Sequence, residues 1–329
     1  MANLRDRLKR IQETKKLEKP QSKQTTAQTQ NEDIPDLTNN GWQYCGFKVL
    51  KREVKKSSPL KSVKCLPDIL PILIPDLKKQ QKPALEDFVF FDLETTGLSS
   101  GAGTVAFLAA FGKVESNSLC ITQYLLLDYP GENDFLVNVL EEFKKEKVIV
   151  TFNGKSFDSQ IIKTRCLMNR FKPPLYWHVD LVHPSRRLWK SIIQDCSQGS
   201  IENKILGIDR IGDIPGSLAP EIWFDFLKTG NCERLIGICD HNISDITGLA
   251  AILNSMIVIA GTPFKIGKYN YDIERLARSV YAYAYEQMKQ YKYEKPLELI
   301  SLALEVLEPD TFWYGKLERR KKRLIKKIN

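Results

Sequence analysis

FFDLETTGLSSGAG, residues 90–103, places two carboxylates, Asp92 and Glu94, at the end of an apolar run. The residues before them, FVFF, are apolar at every position, which predicts a strand covered on both faces. Side chains at i and i+2 of a strand share a face, so Asp92 and Glu94 point the same way. An unpaired buried carboxylate is costly, and two side by side repel each other as well. A positive partner is therefore needed. No Arg lies nearby in sequence, and a divalent cation with oxygen ligands is the natural answer. The following TTGL turns the chain, leaving the acids at the strand's end, where a site can be reached from solvent. The small residues of SSGAGT (99–104) suit either a tight connection between strands or the close approach of a nucleotide.

Working outward, TVAFLAAFGK (104–113) and LCITQYLLL (119–127) read as two further strands. Residues 132–146 read as a helix and KVIVTFNG (147–154) as a fourth strand. Residues 156–170 read as a second helix and PLYWHVDLV (174–182) as a fifth strand, with mostly helical segments from 184 to 260. Upstream, WQYCGFKVLKREV (42–54) is a plausible strand pair in a lead-in segment spanning 41–85. Residues 1–40 are polar and rich in Lys, Gln and Thr, so disorder is expected, apart from a short basic helix with Leu4, Leu8 and Ile11 on one face. Residues 263–329 read as helical and basic. They include a helix pair with tetratricopeptide-like spacing, carrying Ala277, Tyr281 and Ala284 on one face and Leu299, Leu302 and Ala303 on the other. One copy does not make a repeat array, and a plain helical hairpin packed on the core fits equally.

Two further motifs carry chemistry. In FNGKSFD (152–158), Gly154 would turn the chain, Ser156 is a candidate N-cap, and Asp158 falls in the first helical turn. An Asp there also meets the helix dipole favourably without any other role. In HNISD (241–245), His241 and Asp245 are four apart and share one face of a predicted helix.

Taken in order, DxE on a first strand, NGxxFD after a fourth and HxxxD on a late helix resemble the DEDD family of 3′–5′ exonucleases. More narrowly, the chain is similar to the YprB-type subgroup of the ribonuclease-H-like superfamily. The stretches that carry this are FFDLETTGLSSGAGTVAFLAAFG, VTFNGKSFDSQIIKTR, HVDLVHPSRRLW, ILGIDRIGDIPG and DHNISDITGLAAIL. The resemblance implies an α/β fold with a ribonuclease-H-like mixed five-stranded sheet flanked by helices over residues 86–262. It implies a helical C-terminal extension and two-metal phosphodiester hydrolysis. Asp92, Glu94, Asp158 and Asp245 would hold two Mg²⁺ or Mn²⁺ ions, with His241 as general base. His241 stands at the spacing where one branch of the family carries Tyr. Asp180, in HVDL, is a candidate fifth acid, and Lys155, Lys163, Arg165, Arg186, Arg187 and Lys190 are candidate phosphate contacts. Such a cage of acids would repel itself without metal, so divalent ions should stabilise the fold.

Composition is consistent with this. The net charge of +9 is uneven. Residues 1–80 carry 17 Lys and Arg against 9 Asp and Glu, residues 264–329 carry 15 against 9, and the segment between is net acidic. Basic ends around an acidic middle suit a polyanion handled by a cation-holding site. Single-stranded RNA or DNA is the expected partner, with a protein partner for the C-terminal helices as a further option. The seven cysteines form no CxxC and the three histidines offer no zinc spacing. A charged N-terminus and no long uninterrupted apolar run point away from a membrane and toward a cytoplasmic protein. Two other classes fit the same residues: a non-catalytic nucleic-acid or protein-binding module on this fold, and a metal-dependent endonuclease.

Overall fold

The computed structural model describes residues 34–79, 83–97, 101–143, 147–265, 267 and 269–328. The expected basic helix, most of the expected N-terminal disorder and residues 98–100 of the loop after Glu94 lie outside these. The centre is a mixed sheet of seven strands: β1 (Gln43–Gly46), β2 (Val49–Ser57), β3 (Phe88–Thr95), β4 (Ala106–Glu115), β5 (Ser118–Leu126), β6 (Val148–Thr151) and β7 (Trp177–Asp180). Their order is β1-β2-β5-β4-β3-β6-β7. Strands β1 to β5 pair antiparallel, while β3, β6 and β7 run parallel.

Two strands more than the expected five are present. The pair in residues 42–54 does not stand aside as a lead-in. Strand β2 runs along β5 from Val49 opposite Leu126 to Ser57 opposite Ser118. It covers the ladder of N–H and C=O groups that β5 would otherwise expose as an edge.

Strand β3 is central, with β4 on one side and β6 on the other. This is why its first four residues are all apolar: Phe88 and Phe90 enter one core layer, Val89 and Phe91 the other. The helices are α1 (Glu132–Glu142), α2 (Asp158–Met168), α3 (Val182–Trp189), α4 (Ala219–Thr229), α5 (Glu233–Gly261), α6 (Ile273–Lys289), α7 (Glu294–Val306) and α8 (Phe312–Ile328), with shorter turns between them. The α5 helix packs Ile246, Leu249 and Leu253 into the layer of Phe88 and Phe90. By length and composition α5 could cross a bilayer, yet 72% of its most apolar stretch is buried within the protein.

Helices α6 and α7 bury Leu276, Ala277, Val280 and Ala284, and Leu299, Ile300 and Ala303, in that same layer. Helix α8 adds Leu317 and Leu324, so three helices rather than a pair pack together at this end. Its Arg320 guanidinium lies over the ring of Tyr281 at 4.3 Å, a cation–π contact made largely out of water.

Candidate active site

Alternation along β3 carries the line of Phe88 and Phe90 on to Asp92 and Glu94. These acids meet the amino-terminal half of α5. Asn242 Nδ2 donates to Asp92 Oδ2 at 2.8 Å. The amide is oriented from behind, because Gln123 Nε2 donates to Asn242 Oδ1 at 2.9 Å and to the Cys239 carbonyl at 2.8 Å. Arg52 in turn donates to Gln123 Oε1 at 2.8 Å. This buried row links β2, β5, α5 and β3, so strand β2, expected only as part of a lead-in, helps to hold the first acid in place.

Asp158 is the first residue of α2 and is buried. The loop before it differs from the sequence reading. Asn153, with φ of 65°, takes the left-handed turn that was expected of Gly154. Gly154 is required for space instead: a Cβ there would lie 2.5 Å from the Thr151 side chain. Ser156 is not the cap, since α2 begins after Phe157 with no side-chain cap bond. The loop is tied down by Asp180. Its two oxygens accept from the amides of Asn153 at 2.8 Å, Lys155 at 3.0 Å and Val182 at 3.1 Å. With both oxygens engaged by backbone donors, Asp180 positions the loop beneath Asp158, which accounts for it without a fifth place at a cation.

His241 and Asp245 share one face of α5, with Nε2 3.2 Å from Asp245 Oδ2. Its other nitrogen, Nδ1, lies 2.8 Å from Asp213 Oδ2. Arg210 binds this side together. It donates to Asp245 Oδ1 at 2.7 Å, to both oxygens of Glu202 at 2.6 and 2.7 Å, and to Asp213 at 3.3 Å. Gly216 closes over the imidazole, where a Cβ would lie 2.9 Å from Nε2. Arg210, Asp213 and Gly216 all fall in ILGIDRIGDIPG, which sequence reading used for family resemblance but gave no role. Their signal was two acids and an Arg inside an otherwise irregular, glycine-punctuated stretch.

Ligand atoms of Glu94, His241 and Asp245 lie within 4.8 Å of one another. Asp92 and Asp158 are close enough to act electrostatically on this cluster. Burial, and then the charges of Asp245, Asp158 and Glu94, hold Asp92 well above the usual carboxylate range. Burial pushes Glu94 up to about 8; the pull of His241 opposes this, and Asp245, Asp158 and Asp213 add to it. Burial and Asp180 push Asp158 up to about 7. Asp245 goes the other way. Burial works against its charge, but His241 and Arg210 hold it below the ordinary value. Burial also opposes the charged imidazole, yet Asp245 and Asp213 raise His241 to about 9.

The donor set fits a hard divalent cation: the Glu94 and Asp245 carboxylates meet beside one imidazole, and burial together with neighbouring acids makes Asp92, Glu94 and Asp158 resist ionisation. The candidate phosphate contacts divide. Arg165 is taken up in a buried pair with Glu132, and Lys155 pairs with Asp76 at 2.7 Å. Lys190 bonds the Gln194 carbonyl. Arg186 and Arg187 remain directed elsewhere, into a pocket described below.

The chain is 40% identical over 169 residues to the uncharacterized protein YprB of Bacillus subtilis (strain 168). The match covers 50% of this chain and 40% of that relative, so the chain spans well under two thirds of the relative's length. The RNase_H superfamily profile matches residues 89–257, from the start of β3 almost to the end of α5. That segment holds every acid of the cluster and more than half of the chain, and on this ground the protein belongs to the RNase_H superfamily.

Proposed function

We propose that this protein is a divalent-metal-dependent nuclease that shortens single-stranded nucleic acid from its 3′ end. Superfamily membership points to a nuclease. The observation that carries the finer reading is the cluster of Glu94, Asp245 and His241 at the end of a central strand, with Asp92 and Asp158 near enough to shift its charges.

Asp92, Glu94, Asp158 and Asp245 would hold two Mg²⁺ or Mn²⁺ ions. Bound there, the ions would supply Lewis acidity toward the phosphoryl oxygens and the leaving oxygen. The chain's own groups do the rest. Asn242 and the row behind it orient Asp92. Asp213 holds Nδ1 of His241 and so fixes which nitrogen faces the reaction. While Asp245 is a free carboxylate, His241 is kept protonated and has no room for another proton. With Asp245 engaged by a cation, its hold on the imidazolium would weaken, so that Nε2 would release its proton to solvent and could then accept one from an attacking water. Arg210 keeps Asp245 in position throughout.

The test is direct. Purified protein is incubated with 3′- and 5′-labelled single-stranded RNA and DNA in Mn²⁺, Mg²⁺ or EDTA, beside Asp92→Ala. A metal-dependent ladder shortening from the 3′ end and absent in the variant supports the proposal. Cleavage of a circular strand would instead indicate an endonuclease. Absence of cleavage with every metal would leave a binding module.

A further inference from the structure

A cleft of about 450 Å³ lies between α3, α6 and the turn Pro75–Lys79. Its lining carries five cationic side chains, Lys78, Arg186, Arg187, Arg275 and Arg278, and no acid. Arg275 pairs with Asp272 at 3.1 Å. Among the described residues, no carboxylate pairs with the other four. Arg187 is the most enclosed. Loss of water and the nearby Arg278 hold its guanidinium below its ordinary pKa. Its Nη1 donates only at long range, to the carbonyls of Ile72 at 3.4 Å and Leu73 at 3.3 Å. With Asp272 as the one carboxylate paired to the five among the described residues, the cations repel one another, and an anion in the cleft would relieve this. Planar guanidinium groups match phosphate oxygens two at a time.

The cleft is built on the same supports as the acid cluster. Helix α3 leaves β7 directly, and its Val182 amide is held by Asp180, which also sets the loop before Asp158. Arg186 follows one helical turn later, about 6 Å along the axis. On the other wall, Asp76 joins the two places: it pairs with Lys155 at 2.7 Å and accepts from the Asp180 amide at 3.3 Å, two residues before Lys78. Arg275 and Arg278, three apart on α6, complete the cleft from the C-terminal helices.

We infer that this cleft holds backbone phosphates of the nucleic-acid strand whose end lies in the acid cluster. The inference rests on the nucleic-acid reading above, and it gives α6 a role in gripping substrate.

The test measures binding separately from cleavage. Anisotropy of a fluorescein-labelled single-stranded oligonucleotide is titrated with the full chain in EDTA at several salt concentrations. Arg186→Ala/Arg278→Ala is expected to bind at least about 10-fold more weakly. The salt dependence should become shallower by about 1.4 in log–log slope, the equivalent of two phosphate contacts to a single strand. Both positions are exposed, so an unchanged melting temperature is expected and shows the fold intact. Lys326→Ala/Lys327→Ala, an equal charge change on α8, is expected to cost far less. Unchanged affinity and slope in the arginine variant would overturn the inference. So would an equal loss in the lysine variant, because attraction would then be diffuse. If binding weakens as expected but no metal supports cleavage of the same strand, the catalytic proposal fails and the cleft stands.

Discussion

Two groups of buried acids in this protein are handled differently. Between α1 and α2, Glu132 meets Arg165 through two parallel hydrogen bonds, with the guanidinium also donating to the Ala102 carbonyl. At the end of β3, Asp92 accepts a hydrogen bond from the neutral amide of Asn242, and Glu94 and Asp158 carry pKa values raised by burial and by other acids. Where Glu132 serves the fold, Arg165 supplies its cation, and where Asp180 does, three backbone amides satisfy it. At the strand end, Arg210 and His241 hold Asp245 ionised, while Asp92, Glu94 and Asp158 keep raised pKa values despite the pull of His241 on Glu94. That difference separates a structural pair from a cluster whose donors suit a cation.

The largest expected effect comes from breaking the structural pair. Arg165→Met should cost about 3–5 kcal/mol in urea unfolding, because Glu132 is left buried and unpaired. Asp92→Asn should do the reverse in EDTA, raising the midpoint by relieving repulsion. A loss of stability there would erase the contrast. On turnover, Asp92→Asn should reduce metal-dependent cleavage by more than about 100-fold, above the usual cost of losing a group that only orients a ligand. Asp213→Asn and Arg210→Lys should cost about 10- to 100-fold in kcat/KM, as groups acting through His241 and Asp245. A loss as large as that of Asp92→Asn would place them among the reacting groups.

The smallest effect is a slope with pH. Glu94, Asp158 and His241 have folded pKa values of about 8, 7 and 9, each above its ordinary value. The folded state therefore binds more protons than the unfolded chain. The stability these groups lend at low pH is lost as pH rises through those values. In EDTA the melting temperature should fall between about pH 5 and about pH 9, and saturating Mn²⁺ should flatten the slope by engaging the carboxylates as anions. A rise with pH in EDTA would show that the acids are compensated after all.

Much of the central architecture was legible because it is local. An apolar run ending in DLE can be read as a buried strand, and the spacing of His241 and Asp245 follows from helical period alone. The elements that escaped depend on distant pairings. The register of β2 on β5 joins segments some 70 residues apart, and periodicity carries no record of which edge a strand takes. The partners of His241 sit in an irregular stretch, where neither helical nor strand period applies. In the loop at residues 153–155, a Gly suggested the turn, yet Asn153 takes the left-handed conformation and the Gly answers a steric need. Asp180 looked like another candidate ligand in sequence, and only its three amide donors distinguish a structural acid from a reactive one.

The claim that the strand-end acids form a cation site is tested most directly by calorimetry of the full chain in EDTA and in Mn²⁺, with Asp92→Asn beside it. The account expects Mn²⁺ to raise the melting temperature of the native protein and most of that increment to vanish in the variant. Identical melting in EDTA and Mn²⁺, or the same increment in both proteins, would contradict it.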